Sequence, residues 1–318
     1  MKILVTGGSG FIGKNYILKR LDEYPDDVVL NIDKLTYASN EEDIVNERYK
    51  HLQVDICSEV ISDIVNDFNP DIVVHFAAES HVDNSIENPD SFINSNILGT
   101  FNLLKSCRTL AMKKTDFRFL HVSTDEVYGS LGDDGEFTEE TAYDPRSPYS
   151  ASKSASDHLV KSYFHTYGFP ALVTNCSNNY GPHQHLEKLI PKIITNYLNE
   201  DKIPVYGEGL NIRDWLYVTD HCDAINVVLE KGRLGETYNI GGDCEMKNIE
   251  IVEHIIDELG GNRWDLIEHV KDRLGHDWRY AINHSKITDE LGWTPKVSFR
   301  EGIKKTIKFY KEKFRGSN

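Results

Sequence analysis

The sequence has few cysteines, no cysteine pair at metal-binding spacing and no long apolar run. Cys57, Cys107, Cys176, Cys222 and Cys244 are odd in number and scattered through 318 residues. This pattern argues against a disulfide framework and against a zinc site, and it fits a reducing compartment. Because no apolar stretch approaches membrane-spanning length and no signal peptide is visible, we expect a cytoplasmic protein without a membrane partner.

Positive charge is also scarce. Lys and Arg number 35 against 51 Asp and Glu, which gives a formal net charge of −16. A chain with this charge is poorly suited to bind nucleic acid or an anionic membrane, so we expect neither partner. Three loop histidines, His81, His183 and His185, have no carboxylate or cysteine at metal-ligand spacing. We therefore expect no metal.

A glycine-rich turn, Thr6–Gly13, follows the short apolar run Ile3–Val5 and opens a helical pattern. This strand, turn and helix context is typical of a dinucleotide-binding motif. Gly7 allows a tight turn, Gly10 allows the backbone to approach a pyrophosphate, and Gly13 allows close packing of helix on strand. The helix N-terminus would supply oriented N–H donors to the phosphates.

Asp33 ends the next apolar run, Val28–Ile32, and lies 20 residues after Gly13. A carboxylate at this place accepts hydrogen bonds from the adenosine ribose and repels a 2′-phosphate, so the expected cofactor is NAD. A glycine-rich loop without a ligand is the simpler alternative. The strand context and the spaced Asp33 make that alternative the weaker one.

Tyr149 and Lys153 are four residues apart, which places them on the same face of a helix. A neighbouring ammonium favours the phenolate and would lower the pKa of Tyr149 toward usefulness as a base. The pattern Tyr-x-x-x-Lys also arises by chance on amphipathic helices. Its position after a dinucleotide turn and after a fifth apolar run indicates a catalytic pair.

Thr124, Asp125 and Glu126 follow the apolar run Phe117–Val122. Neighbouring side chains on a regular strand point to opposite faces, so these three can converge only where the strand has turned. Two adjacent carboxylates repel each other, which raises the pKa of one and leaves an acid beside a base. Taken alone, an acidic surface turn capped by Thr124 is the simpler interpretation.

Apolar runs alternate with helical patterns through the first half, which is typical of a parallel sheet covered on both faces. We predict a doubly wound Rossmann domain over residues 1–176 and a smaller α/β substrate domain over 177–318, with the segment 211–240 returning to the first. The predicted strands are Ile3–Val5, Val28–Ile32, Leu52–Val54, Ile72–Phe76, Phe117–Val122, Ala171–Thr174, Trp215–Val218 and Thr237–Ile240. The predicted helices lie near 89–111, 148–167, 220–231, 248–259 and 299–314. Ligands should bind at the loops after Phe76, Val122 and Asn175.

These motifs resemble those of the extended short-chain dehydrogenase/reductase family, and within it the branch that dehydrates nucleotide-activated sugars. The resemblance covers nearly the whole chain and is carried by Thr6–Gly13, Asp33–Ala38, Ala77–Asp83, Thr124–Glu126, Tyr149–Lys153, Asn175–Pro182, Glu187–Pro191, Arg213–Val218, Tyr238–Gly242 and Arg273–Tyr280. It implies an NAD-dependent lyase that converts dTDP-glucose to the 4-keto-6-deoxy sugar by C4 oxidation, loss of water across C5 and C6, and hydride return to C6. It also implies a homodimer built on the helices near 89–111 and 148–167.

The resemblance implies a task for each candidate residue. Thr124 would bond the 4-hydroxyl, Tyr149 would remove its proton, and Lys153 would hold the nicotinamide ribose and the phenolate. Asp125 would protonate the departing 6-hydroxyl, and Glu126 would remove the C5 proton. The expected cofactor-binding residues are Gly7, Gly10, Phe11, Ile12, Gly13, Asp33, Lys34, Leu35, Thr36, Asp55, Ile56, Ala77, Ala78, Ser95, Tyr149, Lys153 and Asn179. The expected substrate-binding residues are Ser80, Thr124, Asn178, Lys188, Leu189, Pro204, Tyr206, Arg213, Asn248, Arg273, His276 and Tyr280.

Two other functions stay open at this point. A nucleotide-sugar 4-epimerase or decarboxylase on the same scaffold shares the Tyr149–Lys153 pair but has no need of adjacent carboxylates. A non-catalytic NAD-sensing protein could keep the glycine-rich turn but has no use for the Tyr–Lys pair. The pair of Asp125 and Glu126 favours the dehydratase.

Overall fold

A computed structural model describes residues 1–40, 43–272 and 275–316 of the chain. Its centre is a seven-stranded parallel sheet in the order β10-β6-β5-β4-β1-β2-β3. The strands are β1 (Lys2–Thr6), β2 (Val28–Asp33), β3 (Tyr49–Gln53), β4 (Ile72–His75), β5 (Arg118–Thr124), β6 (Ala171–Cys176), β7 (Asn178–Tyr180), β8 (Ile203–Tyr206), β9 (Ile212–Tyr217), β10 (Thr237–Ile240), β11 (Glu245–Lys247) and β12 (Ile267–Val270). The predicted doubly wound α/β fold is confirmed.

The central strands are apolar along their length because both faces of the sheet are covered. Ile3 and Val5 of β1 point into one hydrophobic cluster, and Leu4 between them points into a second cluster. All three side chains are fully buried. The strand order reverses between β1 and β4, so the loops after these strands diverge and leave room for a ligand.

Helices cover the sheet on both sides. They are α1 (Phe11–Glu23), α2 (Ile61–Phe68), α3 (Val82–Glu87), α4 (Asp90–Phe92), α5 (Thr100–Ala111), α6 (Pro148–Tyr167), α7 (Leu189–Asn199), α8 (Val218–Lys231), α9 (Asn248–Leu259), α10 (Ser285–Leu291) and α11 (Phe299–Gly316). Short 3₁₀ turns occupy Asp125–Tyr128 and Trp264–Leu266. Among these described helices none is long and apolar enough to cross a bilayer.

The helix predicted near 89–111 is interrupted. Between α4 and α5 the backbone forms a π-helical segment, Ile93–Gly99. Asn96 in this segment accepts from the Glu79 amide at 2.8 Å and donates to the Glu79 carbonyl at 3.0 Å. Apolar periodicity cannot reveal such a widened turn, since π segments occur mostly as single insertions within α-helices.

Two predicted strands are shifted. The strand expected at Leu52–Val54 is β3, which ends at Gln53, and the one expected at Trp215–Val218 is β9, which ends at Tyr217 because Val218 begins α8. β9 belongs to a three-stranded sheet with β7 and β11, whereas β10 joins the central sheet beside β6. The domain boundary near residue 176 stays a proposal, and we propose that α8 and β10 are the parts of the segment 211–240 that return, because α8 shares a hydrophobic cluster with β1.

Candidate active site

A cleft of about 320 Å³ lies beyond the carboxyl ends of the central strands. The loops after β4, β5 and β6 contribute to its wall, where the topology places a ligand. The predicted site residues that line it are Gly7, Gly10, Phe11, Ile12, Gly13, Asp33, Lys34, Thr36, Asp55, Ile56, Ala77, Ala78, Ser80, Ser95, Thr124, Asp125, Glu126, Tyr149, Lys153, Asn178, Asn179 and Lys188.

The glycine-rich turn forms one end of the cleft. Gly7 has φ of +72°, and a Cβ on it would meet the Ala77 amide nitrogen at 2.5 Å. At Gly10 a Cβ would have a single close neighbour, the Gly7 carbonyl at 3.3 Å, because this residue faces the open cleft. Among the described residues no side chain caps α1. Its first N–H groups are therefore available for a pyrophosphate.

Asp33 lies at the end of β2 beside this turn. Its Oδ2 accepts from the Ser9 amide and its Oδ1 from the Leu35 amide, both at 2.9 Å. A carboxylate has about four acceptor positions, so each oxygen keeps one for a ribose hydroxyl. The two backbone donors fix the carboxylate at the place where an adenosine ribose would lie.

Lys34 extends the same wall, but its charge is already neutralised. Its Nζ lies 3.1 Å from Glu79 Oε1 and donates to Ser95 Oγ at 2.7 Å. Asp55 Oδ2 is 4.0 Å away. The acidic neighbours make this region unfavourable for an additional phosphate.

The opposite end of the cleft holds the Tyr–Lys pair on α6. Ser147 and Pro148 start this helix with a capping box, which fixes the position of Tyr149 one residue later. Lys153 lies one turn further along, and its Nζ donates to the Val122 carbonyl at 2.9 Å. Burial lowers the pKa of Lys153 to about 8, against the opposing charge of Asp157.

The predicted lowering of the Tyr149 pKa is wrong. Burial raises the pKa of Tyr149 well above its ordinary value, and the charge of Glu126 raises it further. The Thr124 hydroxyl acts in the other direction as a hydrogen-bond partner. The Lys153 ammonium, which was expected to lower this pKa, is turned toward the Val122 carbonyl and His121.

Asp125 begins the 3₁₀ turn after β5 and is almost completely buried. Its Oδ1 accepts from the Thr124 hydroxyl at 3.3 Å, while among the described residues Oδ2 has no hydrogen-bond partner. Burial raises the pKa of Asp125 well above its ordinary value, and Glu126 and Asp214 raise it further. Burial therefore favours the neutral, protonated form of this group over the carboxylate.

The turn also explains how three consecutive side chains reach one cleft. Thr124 caps the 3₁₀ turn by accepting from the Glu126 amide at 3.3 Å, so the strand ends and the next residues curl around it. Thr124, Asp125 and Glu126 all line the cleft with Tyr149. The expected convergence of the three consecutive side chains is thus present in the geometry, with the Tyr149 phenol in the same cleft.

Several predicted substrate residues lie outside the cleft in the part of the chain that the structure describes. They are Leu189, Pro204, Tyr206, Arg213, Asn248, His276 and Tyr280, and the predicted cofactor residue Leu35 is outside as well. Arg273 lies outside the described residues. The charge of Arg213 nevertheless acts on the cleft, because it lowers the pKa of Asp125. Its guanidinium stacks on the Tyr280 ring at 4.2 Å and donates to the Asp277 carbonyl at 3.0 Å.

The cleft also contains residues that the sequence did not single out for binding. They are Ile32, Ala38, Ser39, Val54, Phe76, Glu79, Val122, Ser123, Cys176, Ser177, Gln184, His185 and Glu187. Val54, Phe76 and Ser177 follow directly on strands, and Ser123 lies one residue before the end of β5. The rule about carboxyl ends could have found Ser123 and Ser177. Over the described ranges, no group of three His, Cys, Asp or Glu side chains is placed to hold a metal ion.

The chain belongs to the family described as GDP-mannose 4,6 dehydratase, whose sequence profile matches residues 4–306. Its relatives include enzymes named dTDP-glucose 4,6-dehydratase. The one from Haemophilus influenzae is 49% identical over 331 residues, covering 98% of this chain and 98% of the relative. The one from Escherichia coli is 51% identical over 339 residues, covering 98% of this chain and 93% of the relative. The Streptomyces venezuelae enzyme, solved with NAD bound, has a TM-score of 0.93 and 43% identity over 100% of this chain and 98% of that one.

Proposed function

We propose that this protein is an NAD-dependent dTDP-glucose 4,6-dehydratase, a lyase that forms the 4-keto-6-deoxy sugar. The similarity to enzymes of that name extends over nearly the full length. The observation that carries the proposal is the placement of the buried Asp125, whose pKa is raised, beside Glu126 in a cleft that also holds Tyr149. An acid and a base side by side are what the elimination of water requires.

Each residue then has one task. When bound, NAD supplies a hydride acceptor and a positive charge that favours the phenolate. Tyr149 takes the proton of the sugar 4-hydroxyl, which Thr124 orients. Lys153 binds the nicotinamide ribose and keeps a positive charge near the phenol.

Oxidation at C4 makes the C5 proton acidic because the carbanion is conjugated with the new carbonyl. Glu126 removes this proton, and Asp125 gives its own proton to the departing 6-hydroxyl. Hydride then returns to C6, and C5 is protonated again. A nucleotide-sugar 4-epimerase needs no such elimination, so the Asp–Glu pair favours dehydration over epimerisation.

The nucleotide part of the substrate would bind beyond Asn178 and Lys188, toward the smaller sheets. Arg213 is almost fully buried and has guanidinium N–H groups suited to a diphosphate. Tyr206 and His276 form an edge-to-face ring pair at 6.3 Å nearby, where a base could stack. We assign the substrate contacts predicted from the sequence to this region.

We also propose a homodimer in the cytoplasm. Ile93, Leu98 and Phe101 of the helices near 89–111 and Tyr167 of α6 are each between 44 and 51% exposed. These apolar side chains lie on the two helices expected to pair across a four-helix interface, and their burial would be favourable. Sedimentation velocity should give the mass of two chains, and a monomer at micromolar concentration would contradict the proposal.

An isotope experiment tests the function. With dTDP-glucose deuterated at C4, the product should carry the deuterium in its C6 methyl group, with no net NADH released. In heavy water the new C5 hydrogen should come from solvent, because a carboxylate exchanges the proton it abstracts. Label returned to C4 would indicate an epimerase, and label released on NADH a simple dehydrogenase. An NAD-sensing protein would give no turnover at all.

A further inference from the structure

A line of buried polar side chains leads from Lys153 into the protein interior. The Lys153 ammonium lies 3.5 Å from His121 Nε2, and this imidazole nitrogen lies 3.1 Å from Asp157 Oδ1. Lys153 is 4% exposed, and His121 and Asp157 are 0% exposed. The imidazole therefore stands between a buried cation and a buried carboxylate, and the proposed reaction steps use only the cation.

The spacing of these residues explains their alignment. Lys153 and Asp157 are four apart on α6, one turn after Tyr149, so the three share one helical face. His121 and Ser123 are two apart on β5 and point to the same side of the strand. The packing of α6 on β5 brings the two rows together.

The Asp157 carboxylate is held through one of its two oxygens. Its Oδ2 accepts from Ser123 Oγ at 3.0 Å and from the Tyr143 hydroxyl at 2.9 Å. Its Oδ1 lies 3.1 Å from His121 Nε2 and accepts no hydrogen bond from the described residues. The two hydroxyl donors replace part of the water that a buried carboxylate loses.

The imidazole itself carries no charge. Burial lowers the pKa of His121 to about 4, and the Lys153 charge lowers it further, although Asp157 acts in the other direction. Among the described residues Nδ1 of His121 has no hydrogen-bond partner. Several groups lie around the line formed by Lys153, His121 and Asp157. They are His75 of β4, Ser123 of β5, Cys176 of β6, Tyr149 of α6, and Tyr143.

None of these neighbours offers Lys153 a second carboxylate. Burial lowers the pKa of His75 well below its ordinary value, and its two nitrogens bond the hydroxyls of Thr6 and Thr100 at 2.7 and 2.9 Å. Burial likewise keeps the Cys176 thiol protonated, since it raises the pKa of that group. Among the groups that act on Lys153, Asp157 is the acidic partner that favours the ammonium.

We propose that Asp157 is a positioning residue of the reaction, whose buried negative charge beside His121 keeps Lys153 charged for its contact with the cofactor ribose. The inference rests on the proposed function, because the task of Lys153 is assigned there. A buried ammonium without a counter-ion loses its proton readily. Asp157 therefore sets the pH above which Lys153 loses the positive charge that the reaction needs.

The decisive variant is Asp157→Asn, which keeps the shape of the side chain and removes its charge. Activity should fall as pH rises through the pKa of Lys153, which is about 8 in the native protein. This fall of kcat/KM at high pH is the alkaline limb of the pH profile. Without Asp157 the alkaline limb should move about 1–3 pH units lower, while KM measured on the acidic side changes little. A matched control is Asp220→Asn, because Asp220 is also buried but accepts from the amides of Lys296 and Val297. It should keep the native alkaline limb.

A second pair of variants applies if Asp157→Asn does not fold. His121→Leu removes the group between the charges and should also move the alkaline limb to lower pH. His121→Gln keeps a polar group beside both charges, so it should restore a limb close to the native one. A native limb in Asp157→Asn, or in His121→Leu where Asp157→Asn does not fold, would overturn the inference. Absence of dehydratase turnover in the native protein would instead refute the proposed function.

Discussion

Replacing Asp125 with asparagine should stop the reaction after its first half. The asparagine side chain fills the same volume and can still accept from Thr124, but it has no proton to transfer to the leaving 6-hydroxyl. General acid catalysis is commonly worth about 10²–10⁴-fold, so dehydration should slow by that factor, or about 3–5 kcal/mol in barrier height. Asp125 is suited to this task because burial and Glu126 raise its pKa well above its ordinary value, which favours the protonated form.

The assay follows reduced cofactor by absorbance after rapid mixing with dTDP-glucose. Asp125→Asn should oxidise C4 at close to the native rate and accumulate reduced cofactor, since the ketone cannot lose water. Tyr149→Phe is the matched control, because it removes the proton acceptor of the first half and should form no reduced cofactor. If Asp125→Asn dehydrated at the native rate, Asp125 could not be the acid.

Two further predictions concern the cofactor and the stability of its domain. Asp33→Ala should weaken the discrimination against NADP, because both carboxylate oxygens that face the ribose are lost; equal activity of the native enzyme with NADP would contradict this. Asp27→Asn should lower the free energy of unfolding in urea by about 3–5 kcal/mol, because it leaves the buried Arg20 guanidinium, now 2.7 Å from Asp27, without a counter-ion. Asp144→Asn removes an exposed ion pair with Arg146 and should cost less than about 1 kcal/mol, and equal losses in the two variants would refute the argument.

The cofactor end of the site was predictable because it depends on local spacing. Gly7 and Gly13 act within one turn, and Asp33 ends the adjacent parallel strand, so the relation of turn to carboxylate follows from the strand pairing alone. The fold class was predictable for the same reason, since alternating strands and helices leave few topologies. The positions of Tyr149 and Lys153 on one helix face also followed from their spacing.

The electrostatics of the site could not be predicted in this way. The direction of the Tyr149 pKa was wrong because it depends on burial and on the charge of Glu126, and both follow from the packing of other elements around α6. The π-helical turn at Ile93–Gly99 leaves no apolar signature. In the sequence, Asp157 cannot be told from an ordinary polar residue of a helix. Its position beside His121 depends on the packing of α6 on β5.

Glu126 links the steps of the proposed reaction through its charge. As a carboxylate it raises the pKa of both Asp125 and Tyr149, which favours the protonated form of the acid before the C5 proton is removed. When Glu126 takes the C5 proton, it becomes neutral and this repulsion ends. Asp125 then becomes a stronger acid at the moment when the 6-hydroxyl must leave. On the proposed roles, placing the base directly beside the acid orders proton removal before proton donation without any movement of the chain.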